Sequence, residues 1–273
     1  MTRVELHYGA ASDVGQVRAV NEDSFLASPP VFVVADGMGG HEGGDVASAI
    51  VVEEFTGFGE DELDATAAAA RITETLQACQ RRIEQYAAGH RAGGSPRWYS
   101  GTTAVVAVLV TERGRPCWLV ANLGDSRAYL LSGSGLAQVS VDHSVVQELV
   151  DSGAITLDEV ATHPERHVVT RALGGPEDVH PDFFLLPLAD AERLLLCSDG
   201  VTGMIADERV QSILAETQDP RDAADDLVAA AVAAGGRDNA TAVVVDVVGW
   251  LAQDAYDSAR QRASLEEKLG ALP

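Results

Sequence analysis

Apolar positions along the chain fall into two kinds of block, short continuous runs and stripes at helical spacing. Leu63, Ala67, Ile72, Leu76, Cys79 and Ile83 recur at intervals of three to five, which predicts one long amphipathic helix over 61–87. A shorter helix is expected over 44–55. After a Gly-rich, polar spacer at 88–96, two β-rich runs at 102–110 and 117–122 flank Glu112-Arg113-Gly114-Arg115, the pattern of a hairpin. Runs at 127–131 and 136–139 repeat it around Ser132-Gly133-Ser134-Gly135. Short helices are expected at 143–152 and 156–162, around Gly153 and ended by Pro164, then strands at 183–186 and 193–198. Helices at 207–217 and 220–234 and a last strand at 240–247 complete the series.

Strands and helices are thus grouped in blocks, with tight turns between consecutive strands. That grouping predicts α+β, antiparallel sheets packed together with helices outside, rather than an alternating parallel fold. There is no internal repeat. Trp250, Leu251, Tyr256, Leu265 and Leu269 lie among charges at 249–273, so a helical tail is expected after a single domain over 1–248.

Composition narrows the function more than the fold. With 46% hydrophobic and 22% charged residues the 273-residue chain has the makeup of a folded domain. Its net charge of −23 would repel a phosphate backbone, so a nucleic-acid partner is not expected. The longest apolar run, 227–234, is far short of the roughly 20 residues of a membrane span. No membrane insertion is expected. The first residues lack the apolar stretch of a secretory signal, which predicts a cytoplasmic location. Cys79, Cys117 and Cys197 are odd in number and far apart, the pattern of reduced thiols.

The chemistry concentrates where strands end. Val31-Phe32-Val33-Val34-Ala35 runs into Asp36-Gly37-Met38-Gly39-Gly40-His41, and Leu194-Leu195-Leu196-Cys197-Ser198 delivers Asp199-Gly200. Gly235-Gly236-Arg237-Asp238-Asn239 places a third aspartate before the final strand. Taken singly, an Asp-Gly after a strand is a turn. Three acids at the ends of core strands need a cation, because a buried carboxylate without a partner is costly. All candidate ligands are oxygens, which selects a hard ion, Mg²⁺ or Mn²⁺. With Glu22 and Asp23 there are more acids than one octahedral ion uses, which points to a pair of ions activating a shared water. Arg18 carries a planar fork that suits phosphate oxygens, and a surface ion pair is its other reading.

Six motifs in order are similar to those of one family. They are Arg18-Ala19-Val20-Asn21-Glu22-Asp23-Ser24, Asp36-Gly37-Met38-Gly39-Gly40-His41, Ser100-Gly101-Thr102-Thr103, Gly124-Asp125-Ser126-Arg127, Cys197-Ser198-Asp199-Gly200 and Gly236-Arg237-Asp238-Asn239. Over 4–248 the chain resembles the bacterial version of the metal-dependent serine/threonine phosphatases of the protein phosphatase 2C type.

The resemblance implies a four-layer α-β-β-α sandwich with a two-ion site at one end, and hydrolysis of phosphoserine and phosphothreonine by a hydroxide bridging two Mn or Mg ions. Asp36 would bridge both ions, and the Gly37 carbonyl would hold the second. Asp199 and Asp238 would complete the first ion's shell, Glu22 would support the second, and Arg18 would bind the substrate phosphate. Asp125 would share a weaker third metal position with Asp199, its other reading being a turn aspartate bonded to its own backbone or to Arg127. His41 is expected either as general acid for the leaving group or as a hydrogen-bonded loop residue. Thr102 and Thr103 would pack under the site, Asn239 and Ser198 would support it, and Asn21 and Asp23 would fix a turn. The segment 143–175 resembles a mobile flap. The implied partners are phosphorylated proteins, including a Ser/Thr protein kinase, with a monomer as the default state. Two other readings are open at this level, a non-catalytic module of the same fold and a metal-dependent hydrolase of another phosphoester.

Overall fold

The computed structural model of the chain describes residues 3–39, 43–59, 61–95, 98–176, 178–188 and 193–251. Its strands form two antiparallel sheets. The first runs in the order β1 (Arg3–Asp13), β11 (Ala240–Leu251), β10 (Arg193–Cys197), β7 (Arg127–Ser132), β8 (Gly135–Gln138). The second runs β2 (Asp23–Ser28), β3 (Val31–Gly39), β5 (Ala104–Glu112), β6 (Arg115–Leu123), β9 (Asp182–Pro187). The short β4 (Ser100–Thr102) pairs with the far end of β3.

Helices α1 (Gly44–Thr56) and α2 (Ala65–Ala92) pack on the outer face of the second sheet. On the first sheet lie α5 (Asp199–Thr202), α6 (Asp207–Glu216) and α7 (Pro220–Ala233). The segment 143–175 holds α3 (Val145–Asp151) and α4 (Leu157–Val160). The result is the expected four-layer sandwich, and among the described residues no helix is long and apolar enough to cross a membrane.

The continuous apolar runs are explained by burial on both faces. In β3, Phe32 and Val34 point between the sheets while Val33 and Ala35 pack under α1 and α2. In β10, Leu194 and Leu196 lie between the sheets and Leu195 packs under α6 and α7. Val243 and Val245 of β11 line the inner core and Val244 the outer one. Phe32 and Trp118 meet edge to face at 5.8 Å in the inner layer. The predicted hairpin is present between β5 and β6: Glu112 pairs with Arg115, and Arg113 and Gly114 both take positive φ, as a two-residue turn matching the strand twist requires.

Three expectations shift. The long helix begins after Asp64, whose carboxylate accepts the Ala67 N–H at 2.7 Å, and it absorbs most of the expected spacer. Three strands, β1, β2 and the short β4, are not read from the sequence. Strand β11 runs three residues past the expected boundary at 248, and the helical tail expected beyond it lies, for 252–273, outside the described residues.

Candidate metal centre

The acids are delivered to one end of the sandwich from both sheets and from separate segments of chain. Asp36 sits inside β3, its backbone fixed by two threonines: the Asp36 N–H donates to Thr103 Oγ1 at 3.0 Å, and Thr102 Oγ1 donates to the Asp36 carbonyl at 2.9 Å. Thr102 and Thr103 therefore position the aspartate rather than merely packing beneath it. Gly37 is a strand residue and not a turn. A Cβ there would collide with the carbonyls of Gly44 and Glu22, so glycine lets three backbones meet at this point. Gly200 has the same reason, since its Cβ would strike the Asn239 carbonyl.

Asp199 is the first residue of α5, directly after β10. Asp238 lies in the α7–β11 loop, and Arg18 in the β1–β2 loop donates to it at 2.7 Å. Asn239 stitches these loops together. Its amide donates to the carbonyls of Val14 and Val20, each at 3.0 Å, and accepts the Glu22 N–H at 2.8 Å. Glu22 receives the backbone N–H of Gly44 at the start of α1.

These groups line one cleft of about 570 Å³ with Arg18, Glu22, Asp36, Gly37, Asp125, Asp199 and Asp238 on its walls. Burial, reinforced by Asp23, Asp199, Asp125 and Asp238, pushes the Asp36 carboxyl well above the usual carboxylate range. Burial and then Asp199 and Asp142 push Asp125 up to about 7. Burial raises Asp199 too, helped by Asp238, while Asp36 lies within hydrogen-bonding reach of it. Among the described residues no three carboxylate, imidazole or thiol groups are already drawn to a single ion-sized point. The donor set nonetheless fits hard divalent ions: the carboxylates offer oxygen ligands crowded into one cleft, and among the described residues Arg18 pairs directly with Asp238 alone.

The structure corrects one reading and sharpens others. Asp23 does not fix a turn; it lies in β2 opposite Asp36, buried, with Ser198 donating to one of its oxygens at 2.7 Å. Burial raises it to about 6. Arg127 forks its guanidinium onto Asp142 at 2.7 to 3.0 Å and reaches Asp125 only through its charge, whereas the Asp125 carboxylate does bond to its own backbone N–H, as the turn reading expects. His41 lies outside the described residues. The segment 143–175 does border the cleft, and it brings two residues that the motifs did not mark, Arg166 and His167, with His167 Nδ1 3.9 Å from Asp199. Arg237 also lines the cleft; its place beside Asp238 was the available signal.

A family model described as protein phosphatase 2C matches residues 16–234. The serine/threonine phosphatase stp of Listeria monocytogenes is 33% identical over 249 residues, covering 88% of this chain and 96% of that protein. The serine/threonine protein phosphatase PstP of Mycobacterium tuberculosis is 38% identical over 257 residues, covering 92% of this chain but only 47% of the longer relative. The solved catalytic domain of PstP in complex with 2 manganese ions superposes with a TM-score of 0.75 at 35% identity, covering 91% of this chain and 100% of that one.

Proposed function

The chain belongs to the protein phosphatase 2C family, and we propose from that premise that it is a metal-dependent serine/threonine protein phosphatase. It hydrolyses phosphoserine and phosphothreonine with two Mn²⁺ or Mg²⁺ ions. The observation that carries the reading is the convergence of Glu22, Asp36, Asp199 and Asp238 on one cleft with the Arg18 guanidinium at its wall.

Asp36, Asp199, Asp238, Glu22 and the Gly37 carbonyl would hold the ions, with Asp36 shared because it is the acid that the others surround. When bound, the ions supply a water acidic enough to attack phosphorus near neutral pH. The chain's own part is placement and charge. Thr102 and Thr103 hold Asp36 in position, Asn239 sets the spacing between Glu22 and Asp238, and Arg18 lies where it can grip phosphate oxygens. Asp125, beside Asp199, would serve a weaker third ion. His41 would be either the proton donor to the leaving alkoxide or a loop group near it.

Phosphoproteins are the substrates, and we place Ser/Thr protein kinases among the partners whose action the enzyme reverses in bacterial signalling. Cys79, Cys117 and Cys197 are buried free thiols, which supports a reducing, cytoplasmic setting. Turnover of a phosphothreonine peptide with Mn²⁺ tests the function. Excess EDTA should abolish it, and Asp36→Asn or Asp199→Asn should lower it about 10²- to 10³-fold in a folded protein, as when a preorganised electrostatic element is lost. Full turnover in EDTA would refute the mechanism.

A further inference from the structure

The segment 143–175 is tied down at two roots and carries Arg166 and His167 to the cleft between them. At the first root, His143 N–H donates to the Gly124 carbonyl at 2.9 Å, the Gly124 N–H donates to His143 Nδ1 at 3.2 Å, and Thr170 N–H donates to the His143 carbonyl at 2.8 Å. Most of 152–167 is exposed. At the second root, fully buried Leu173 exchanges both backbone hydrogen bonds with Thr102, at 2.9 and 3.1 Å. Thr102 is also the residue whose hydroxyl holds the Asp36 carbonyl.

Next come Gly174 and Gly175, which have no side chain to anchor themselves. Gly174 has φ +85°, and a Cβ on it would run into the Ser100 carbonyl and approach Ile83 of α2 to 3.0 Å, so the stretch lies flat between β4 and α2. One buried side chain grips it from the helix. Gln80 Oε1 accepts the Gly174 N–H at 2.7 Å, and Nε2 donates to the Gly175 carbonyl and to Glu84 Oε1, each at 2.7 Å. A flipped amide would set oxygen against oxygen twice and N–H against N–H once, so its orientation is fixed. Resting on the phosphatase reading above, we infer that Gln80 is a positioning residue for substrate recognition: it sets the second root of the flap and so the placement of Arg166 and His167 against a protein substrate.

A phosphopeptide long enough to touch both Arg18 and the flap should sense Gln80, whereas p-nitrophenyl phosphate, with no flanking chain, should not. Gln80→Met keeps the length and removes both backbone bonds. Gln80→Glu keeps the acceptor for Gly174 but sets a carboxylate against the Gly175 carbonyl and Glu84. In both, KM for a phosphothreonine peptide should rise roughly 3- to 30-fold, the range of coupling through a packed contact, while p-nitrophenyl phosphate turnover stays within about two-fold. Glu84→Gln, which leaves the grip on Gly174 and Gly175 intact, should keep the wild-type KM. Amide exchange should quicken over 166–175 and not in β5.

An unchanged peptide KM in Gln80→Met with a lowered Tm would reduce Gln80 to helix packing and overturn the inference. Equal losses on both substrates would overturn it too, by placing its effect on the acids. If the wild-type protein turned over neither substrate, the phosphatase reading would fall. The exchange measurement would then still decide whether Gln80 holds the root.

Discussion

Replacing Asn239 by alanine should damage the site without touching a reacting atom. Asn239 is buried and makes three hydrogen bonds to backbone groups of the β1–β2 loop, at 2.8, 3.0 and 3.0 Å. At about 1 kcal/mol net for each, the loss is about 3 kcal/mol. For a chain of this size that lowers Tm by about 6 to 12 °C. The same bonds set the distance between Glu22 and Asp238, so the loosened loops should also hold ions less well, about 10- to 100-fold as for other groups that orient metal ligands. Asn239→Asp should be no better, because its second oxygen would face the Val14 and Val20 carbonyls and add charge beside Asp238. Thermal unfolding with EDTA measures the first effect, and phosphopeptide turnover against Mn²⁺ concentration measures the second. A variant with wild-type Tm and an unshifted metal curve would refute the reasoning.

Arg18→Ala should weaken phosphopeptide binding and competition by inorganic phosphate, and Arg18→Lys should restore part of it, since a point charge lacks the bidentate fork; if steady-state kinetics show both variants equal to wild type, Arg18 is only the partner of Asp238. Asp125→Ala should keep the fold and two tight ions by calorimetric titration yet lose turnover at saturating metal, and unchanged turnover would end the third-ion role. His143 is held below the usual imidazole range, chiefly by burial and by Arg171 against the opposing pull of Asp182 and Asp142. The unfolded chain then binds this proton more readily, so the residue's contribution to stability is present above about pH 6.5 and lost as pH falls through the folded value. Between pH 7.5 and 5.5, Tm measurements should therefore show His143→Gln responding less unfavourably to acidification than wild type, and parallel curves would count against it.

What the sequence revealed depended on whether a residue's partners lie nearby in the chain. The run Val31 to Ala35 is buried on both faces, so its continuous hydrophobicity marked both the strand and the aspartate at its end. The Arg113-Gly114 turn was legible because two positive-φ positions are local chemistry. Strand β1 was not, since its partner β11 enters some 240 residues later, with Arg3 opposite Leu251. Gly9 also looks like a break in it, whereas glycine there lets the Pro220–Arg221 backbone rest on the strand. Missing β2 had a direct consequence, because Asp23 could be recognised as the buried neighbour of Asp36 only once that pairing was known. The spacer at 88–96 read as loop from its glycines, yet α2 continues through it to Ala92, where His90 stacks on Trp98 at 4.2 Å.

The division of labour between scaffold and site follows from those partners. Each acid enters from a different segment, β3, the β1–β2 loop, α5 and the α7–β11 loop, and three apolar layers hold those segments in register. Left without cations the acids oppose one another: Asp36, Asp125 and Asp199 each sit above the ordinary carboxylate range because burial and like charge act together. A divalent ion that binds only the folded arrangement relieves that repulsion and shifts the folding equilibrium by RT ln(1 + [L]/Kd). On the proposed ligand set, folding and metal loading would be linked through the same carboxylates.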